Sequence, residues 1–246
     1  PGIIDNQQVK LGEVIKEGIS DDNIDRLRIG VGYFYTSGLK SLQPELEEFI
    51  EGGGQVDVMM GNTVNRETME ELVAGYKSQE MARVRQPNHL IQEGDKRELE
   101  QELIANLEDQ VLYTEPTQQN QEFIIKLAQW LNEGSLELRV YPKERFHAKA
   151  YVLEGDSGGT ITRPELAGIV GSSNLTFSGL TSNTELNATV YTADAEELQA
   201  WYEERWEEAE EFSPKLLDVI ENSWAAYHPS LNLADPYKVY IKSLYE

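Results

Sequence analysis

The sequence predicts an α/β fold, a mixed sheet with helices on both faces, with a helical insertion and a C-terminal helical extension. Three observations predict it. Short runs with apolar residues at every second position recur near residues 30, 58, 138, 150, 168 and 190, as strands require. The first two runs are joined by a helical stretch and a glycine turn, the pattern of a right-handed parallel crossover. The later runs follow one another with short connections, the pattern of antiparallel pairing.

The elements follow in order. In LRIGVGYFYTSG (27–38), Ile29, Val31, Tyr33 and Tyr35 alternate and Gly38 ends the run. Residues 41–49 read as a helix with Leu42, Leu46, Phe49 and Ile50 on one face, stopped by Gly52–Gly53–Gly54. QVDVMMGN (55–62) is the second strand. Residues 65–133 read as helical elaboration, with helices over 66–83, 95–112 and 118–132 broken by Pro87 and Pro116. In the charged run between them, Leu99, Leu103 and Leu107 are expected to turn inward. SLELRVYP (135–142) alternates again. RFHAKAYVLEG (145–155) reads as a strand with Phe146, Ala148, Ala150 and Val152 on one face and His147, Lys149 and Tyr151 on the other. A glycine-rich turn over 155–165 leads to a short strand (166–174), and ELNATVYTAD (185–194) is the last. From Ala195 the pattern is helical through Phe212, with Leu198, Trp201, Tyr202, Arg205 and Trp206 near one face. A second helix runs from Pro214 to about Tyr227. A linker and a final helix near Pro236 complete the reading, which divides the chain into 1–192 and 193–246.

Composition narrows the chemistry. The chain of 246 residues has no cysteine, which excludes disulfides, thiol catalysis and cysteine-held metals. No apolar run reaches the ~18–20 residues that span a bilayer, so no membrane partner is expected. Residues 1–14 lack the basic start and apolar stretch of a secretory signal, and a cytoplasmic location is expected. The net charge of −23 repels nucleic acid at low salt and reads as adaptation to high salt, or as an acidic protein with a local basic site.

Five residues stand out as chemistry. His147 and Lys149, two apart on one strand, present an acid–base or nucleophilic group beside a fixed cation. Ser172 and Asn174, in the small-residue segment GSSN, are neutral donors for an oxyanion. Glu185 opens the next strand and can aim a histidine through its ring N–H. Together they suit attack on phosphorus. His89 and His228 read as loop residues, and Asp21, Asp22 and Asp25 as solvated helix-start acids. The glycines at 52–54 follow a helix and so form a turn, not a phosphate loop. No metal site is expected, and no cofactor.

FHAKAYVLEG followed by GIVGSSNLTFSGLTSNTELN resembles the phospholipase D superfamily, whose motif is H-x-K-(x4)-D with G-S-x-N. His147 and Lys149 match the first part, and Gly171, Ser172 and Asn174 the second. Glu185 matches the downstream glutamate. The motif's acid position holds Glu154 instead of Asp, and residues 155–165 lengthen the gap to G-S-x-N. LRIGVGYFYTSGLKSLQPELEEFIEGGGQVDVMMGN is similar to the start of this domain in members fused to helicases or found in restriction systems, so the resemblance covers about residues 20–192. The resemblance implies a phosphodiesterase acting without metal through a phosphohistidine. DNA or RNA is its expected substrate, and His147, Lys149, Asn174 and Glu185 are catalytic. Lys149, Ser172 and Asn174 hold phosphate, and Glu154 is a structural acid. Because the family's site takes two H-x-K motifs, one per chain implies a homodimer with the site on its two-fold axis. ADPYKVYIKSLYE resembles the junction before a helicase, which implies a helicase domain beyond residue 246. The alternative is a catalytically weak or inactive module that binds nucleic acid or dimerises a helicase.

Overall fold

The computed structural model describes residues 2–61, 96–143, 146–155 and 166–227, with the backbone alone for 96–99. Eight strands form one sheet: β1 (Ile3–Ile4), β2 (Arg26–Val31), β3 (Gln55–Met60), β4 (Leu136–Val140), β5 (Lys149–Glu154), β6 (Ala167–Gly171), β7 (Asn187–Tyr191) and β8 (Glu210–Glu211). Their order across the sheet is β1-β7-β6-β5-β2-β3-β4-β8. β2, β3 and β4 run parallel, and the other neighbouring pairs are antiparallel. The expected crossover between β2 and β3 is therefore present, and the sheet is mixed.

Among the described residues the helices are α1 (Leu11–Ile19), α2 (Thr36–Lys40), α3 (Glu45–Glu51), α4 (Lys96–Leu112), α5 (Gln118–Glu133), α6 (Phe177–Thr181), α7 (Ala193–Glu208) and α8 (Ser213–Glu221), with a 3-10 turn at Trp224–Tyr227. The two faces of the sheet are unequal. One carries the main core, where Leu27, Ile29 and Val31 of β2 meet Leu11 and Ile15 of α1, Leu46 of α3, Leu107 of α4, Leu127 of α5 and Leu216 of α8. α7 covers the other, through Met59, Phe146, Tyr202 and Trp206. Leu42, Leu46, Phe49 and Ile50 are all buried as expected, and so are Leu103 and Leu107. The helix expected over 66–83, the side chain of Leu99, His89, His228, the 155–165 turn beyond Gly155 and the segment after Tyr227 lie outside the described residues.

Several expectations are corrected. The strand expected to contain His147 begins two residues later, at Lys149, because 146–148 leave the sheet and cross over the ends of β2 and β3. The helix expected through Phe212 stops at Glu208. Glu210 and Glu211 then pair with Val140 and Arg139 as an edge strand, a pairing made by backbone groups that leaves no apolar alternation to read. The strand expected over 27–38 ends at Val31, and its last residues instead open α2 (Thr36–Lys40); the helix expected over 41–49 begins only at Glu45, as α3. The helical extension is present over the described residues 193–227 and packs onto the sheet, with Tyr202 and Leu216 fully buried.

Candidate active site

The ends of β2 and β5, the segment after β6 and the start of β7 meet at one rim of the sheet. Lys149 opens β5 opposite Val31 and is buried. Its ammonium donates to the His147 carbonyl at 2.9 Å and lies 3.2 and 3.3 Å from the two ring nitrogens of His147. The residue spacing thus brings the cation against the imidazole even though His147 precedes the strand. The His147 side is exposed, and the ring of Tyr33 meets it edge-on with centroids 6.4 Å apart. The Tyr33 hydroxyl is buried and finds no hydrogen-bond partner among the described residues.

Asn174 is fixed from behind. The backbone N–H of Tyr33 donates to its Oδ1 at 3.0 Å, so the group Asn174 can offer an anion is its amide N–H₂. The segment carrying it is held by buried polar contacts. The Tyr151 hydroxyl donates to the Ser173 carbonyl at 2.9 Å, the Asn187 amide donates to Ser173 Oγ at 2.9 Å, and Ser173 N–H donates to Asn187 Oδ1 at 3.2 Å. Thr176 then caps α6 by accepting from Gly179 N–H at 2.9 Å. Gly171 is needed for close approach, since a β-carbon there would lie 2.3 Å from Asn187 Oδ1 and 2.4 Å from the Leu186 carbonyl.

Ser172 and Glu185 form a pair. The Ser172 hydroxyl donates to Glu185 Oε2 and accepts from Leu186 N–H at 3.0 Å. The structure therefore brings His147, Lys149 and Asn174 around Gly32. A β-carbon on Gly32 would be 3.5 Å from both Lys149 Nζ and Asn174 Oδ1. Ser172 and Glu185 sit together on the adjoining segment, bonded to each other. Among the described residues no three His, Asp or Glu side chains converge as a metal would require.

Glu154 stands apart. Five residues along β5 from Lys149, it lies roughly 17 Å away and on the opposite face. There it accepts from Arg28 Nε at 2.8 Å. Arg28 is also 3.5 Å from Asp57 and 3.2 Å from Glu203 of α7. Burial works against the Arg28 charge, but the hydrogen bond from Arg28 to Glu154 and the charges of Glu154, Asp57 and Glu203 outweigh it and hold the guanidinium above its ordinary range. Tyr33, Tyr151, Ser173 and Asn187 are the supporting residues that sequence reasoning did not single out. A tyrosine or asparagine in a strand carries no pattern that separates a supporting contact from ordinary packing. Only the x position of G-S-x-N, filled by Ser173, gave a signal.

Known proteins frame this geometry. The model of the cardiolipin synthase, PLD-like domain family matches residues 25–206. The chain belongs to this phospholipase D-like family. Among solved structures it is similar to the phospholipase D family member Nuc from Salmonella typhimurium, with 13% identity, 85% of this chain and 95% of that chain covered and a TM-score of 0.44. It is also similar to NucT from Helicobacter pylori, with 11% identity, 81% and 89% covered and a TM-score of 0.42. A third similar structure is phosphatidylserine synthase from Haemophilus influenzae, with 13% identity, 98% of this chain but 43% of that chain covered and a TM-score of 0.46. No curated protein sequence matches the chain. The domain is that of a phospholipase D-superfamily phosphodiesterase. No described helix is long and apolar enough to cross a membrane.

Proposed function

We propose that the chain hydrolyses phosphodiesters of DNA or RNA, as a homodimer, through a phosphohistidine. The observation that carries this reading is the meeting of His147, Lys149 and Asn174 at one rim. It offers a nucleophile, a cation and a neutral donor to one phosphate. An imidazole nitrogen of His147 attacks phosphorus. The P–O bond to the leaving group breaks, and His147 of a second copy, as imidazolium, gives that oxygen its proton. The second histidine then takes a proton from water, whose oxygen attacks phosphorus and breaks the P–N bond. Lys149 and Asn174 hold the non-bridging oxygens throughout. Ser172 supports the phosphate through its loop, and Glu185, one oxygen of which takes the Ser172 hydroxyl, turns the other toward an imidazole N–H.

Exposed Phe177 and Leu186 border the segment from Ser172 to Asn174 and support a covered face there. The helicase beyond residue 246 rests on the resemblance of the tail alone. The test is cleavage of DNA, RNA and a chromogenic diester in EDTA by wild type, His147→Ala and Lys149→Ala. His147→Ala should lose several orders of magnitude in cleavage with binding little changed, since its bond to phosphorus exists only along the reaction path. Lys149→Ala should weaken both. Equal inertness of wild type and His147→Ala would replace the enzyme by the binding-module alternative. Activity lost to EDTA and restored by Mg²⁺ would place the chemistry elsewhere.

A further inference from the structure

Residues 146–148 carry His147 yet belong to no strand. The segment lies against the end of β3, where a β-carbon on Gly61 would be 2.7 Å from the Phe146 carbonyl. Phe146 anchors it. Its side chain is buried, and its ring tip rests on β2 at Gly30, where a β-carbon would be 3.4 Å from Cζ. Beside the ring stand Tyr141, with centroids 5.5 Å apart, and Trp201 of α7, stacked on it at 5.9 Å and an interplanar angle of 28°. Ala148 packs against the same cluster. His147, between the two, is exposed at the rim. Helix α7 is itself pinned to the sheet, because the buried Tyr202 hydroxyl donates to the Asp57 carbonyl at 3.0 Å. The Tyr141 hydroxyl donates to Glu208 of the same helix at 2.9 Å. The segment that carries the imidazole thus takes its place from a helix outside the site.

We infer that Trp201 is a positioning residue for His147, acting through its stack on Phe146. The inference rests on the phosphodiesterase reading of this rim. Phe146 and His147 are adjacent in the chain, so a slide of the ring carries the imidazole with it. A stacked aromatic pair has a preferred geometry, which a flexible aliphatic neighbour does not impose. Lys149 is fixed separately, by its pairing with Val31, and Asn174 by the Tyr33 N–H. Losing the stack should therefore move the nucleophile and spare the groups that hold phosphate. Displacing a reacting atom by about 1 Å can cost roughly a hundredfold in rate.

The experiment is steady-state hydrolysis of a chromogenic diester, with inorganic phosphate as competing ligand. It compares wild type, Trp201→Met, Trp201→Phe, Phe146→Leu and the double variant Trp201→Met with Phe146→Leu. Trp201 is half-buried, and methionine refills much of its volume without a ring, so Trp201→Met should fold. Its kcat should fall roughly ten- to a hundredfold, with KM and phosphate inhibition within about twofold of wild type. Trp201→Phe restores a ring to the stack and should recover most of the rate. Phe146→Leu should match Trp201→Met, and the double variant should lose no more than the worse single one, since both break one contact. Val219→Ala, in the core on the other face of the sheet, is the control for stability alone, and should lower Tm with kcat unchanged. Wild-type kcat in folded Trp201→Met, losses that multiply in the double variant, or an equal loss of rate in Val219→Ala overturns the inference and leaves the reading of the site standing. A wild type that hydrolyses no diester overturns that reading, and the inference with it. If Trp201→Met does not fold, Phe146→Leu decides: a lowered kcat at wild-type KM supports the inference, and an unchanged kcat overturns it.

Discussion

Glu154 fills the place where the family's motif has aspartate, and its surroundings show what the extra methylene does. The carboxylate reaches across from β5 to Arg28 Nε at 2.8 Å, and Arg28 is nearly buried. Aspartate would fall short of that contact by about one carbon–carbon bond. Glu154→Asp should therefore lower stability by about 1 kcal/mol, because Asp57 and Glu203 still face Arg28. It should leave cleavage unchanged, because the acid lies on the face away from Lys149. Chemical denaturation and a diesterase assay check both halves. A clear gain in activity with aspartate would tie this residue to the site. At this scale the sequence made His147, Lys149, Ser172, Asn174 and Glu185 legible through motif spacing. The Tyr33 hydroxyl, without a partner among the described residues, stayed hidden, because its meaning depends on which strand ends meet.

Among the elements, β2 and β3 were legible because buried strands leave unbroken apolar alternation. Helix α1 is harder to read, since Gly12 and Gly18 weaken helix propensity within nine residues. Gly18 packs against Leu153, where even a β-carbon would lie 2.6 Å from the leucine side chain. The two-residue strands β1 and β8 are too short for any period. The pairing of β2 with β3 also sets a charge balance. Asp57 sits opposite Arg28 in register and accepts from Arg26 at 2.9 Å. Burial pushes its carboxyl above the ordinary 3.8, against the pull of Arg26 and Arg28. A carboxyl raised by folding binds its proton more tightly in the folded chain. Its contribution to stability is complete below about 3.8 and is lost as pH rises through the folded value. The melting temperature of Asp57→Asn relative to wild type should accordingly improve as pH climbs from acid to neutral at fixed salt. A difference that stays constant with pH would mean that the arginines fully compensate burial.

The whole molecule carries a charge of −23 and one His-x-Lys. The proposed dimer brings two acidic copies together, so screening should favour it. Light scattering should give about twice the chain mass in high salt, with a shift toward monomer as salt is withdrawn. Leu186→Asp, which charges the exposed side chain beside Glu185, should yield a monomer at every salt concentration and lose cleavage with it. A wild-type monomer that cleaves would remove the two-histidine mechanism. The central claim is that His147 becomes covalently bonded to phosphorus, and one measurement meets it directly. Wild type mixed with a phosphorus-labelled diester is quenched in base within a turnover, digested and mapped by mass spectrometry. The account predicts a label on the peptide containing His147 that survives base, is released by acid and is absent from His147→Ala. Turnover by wild type with no label, or with the label on another residue, would contradict it.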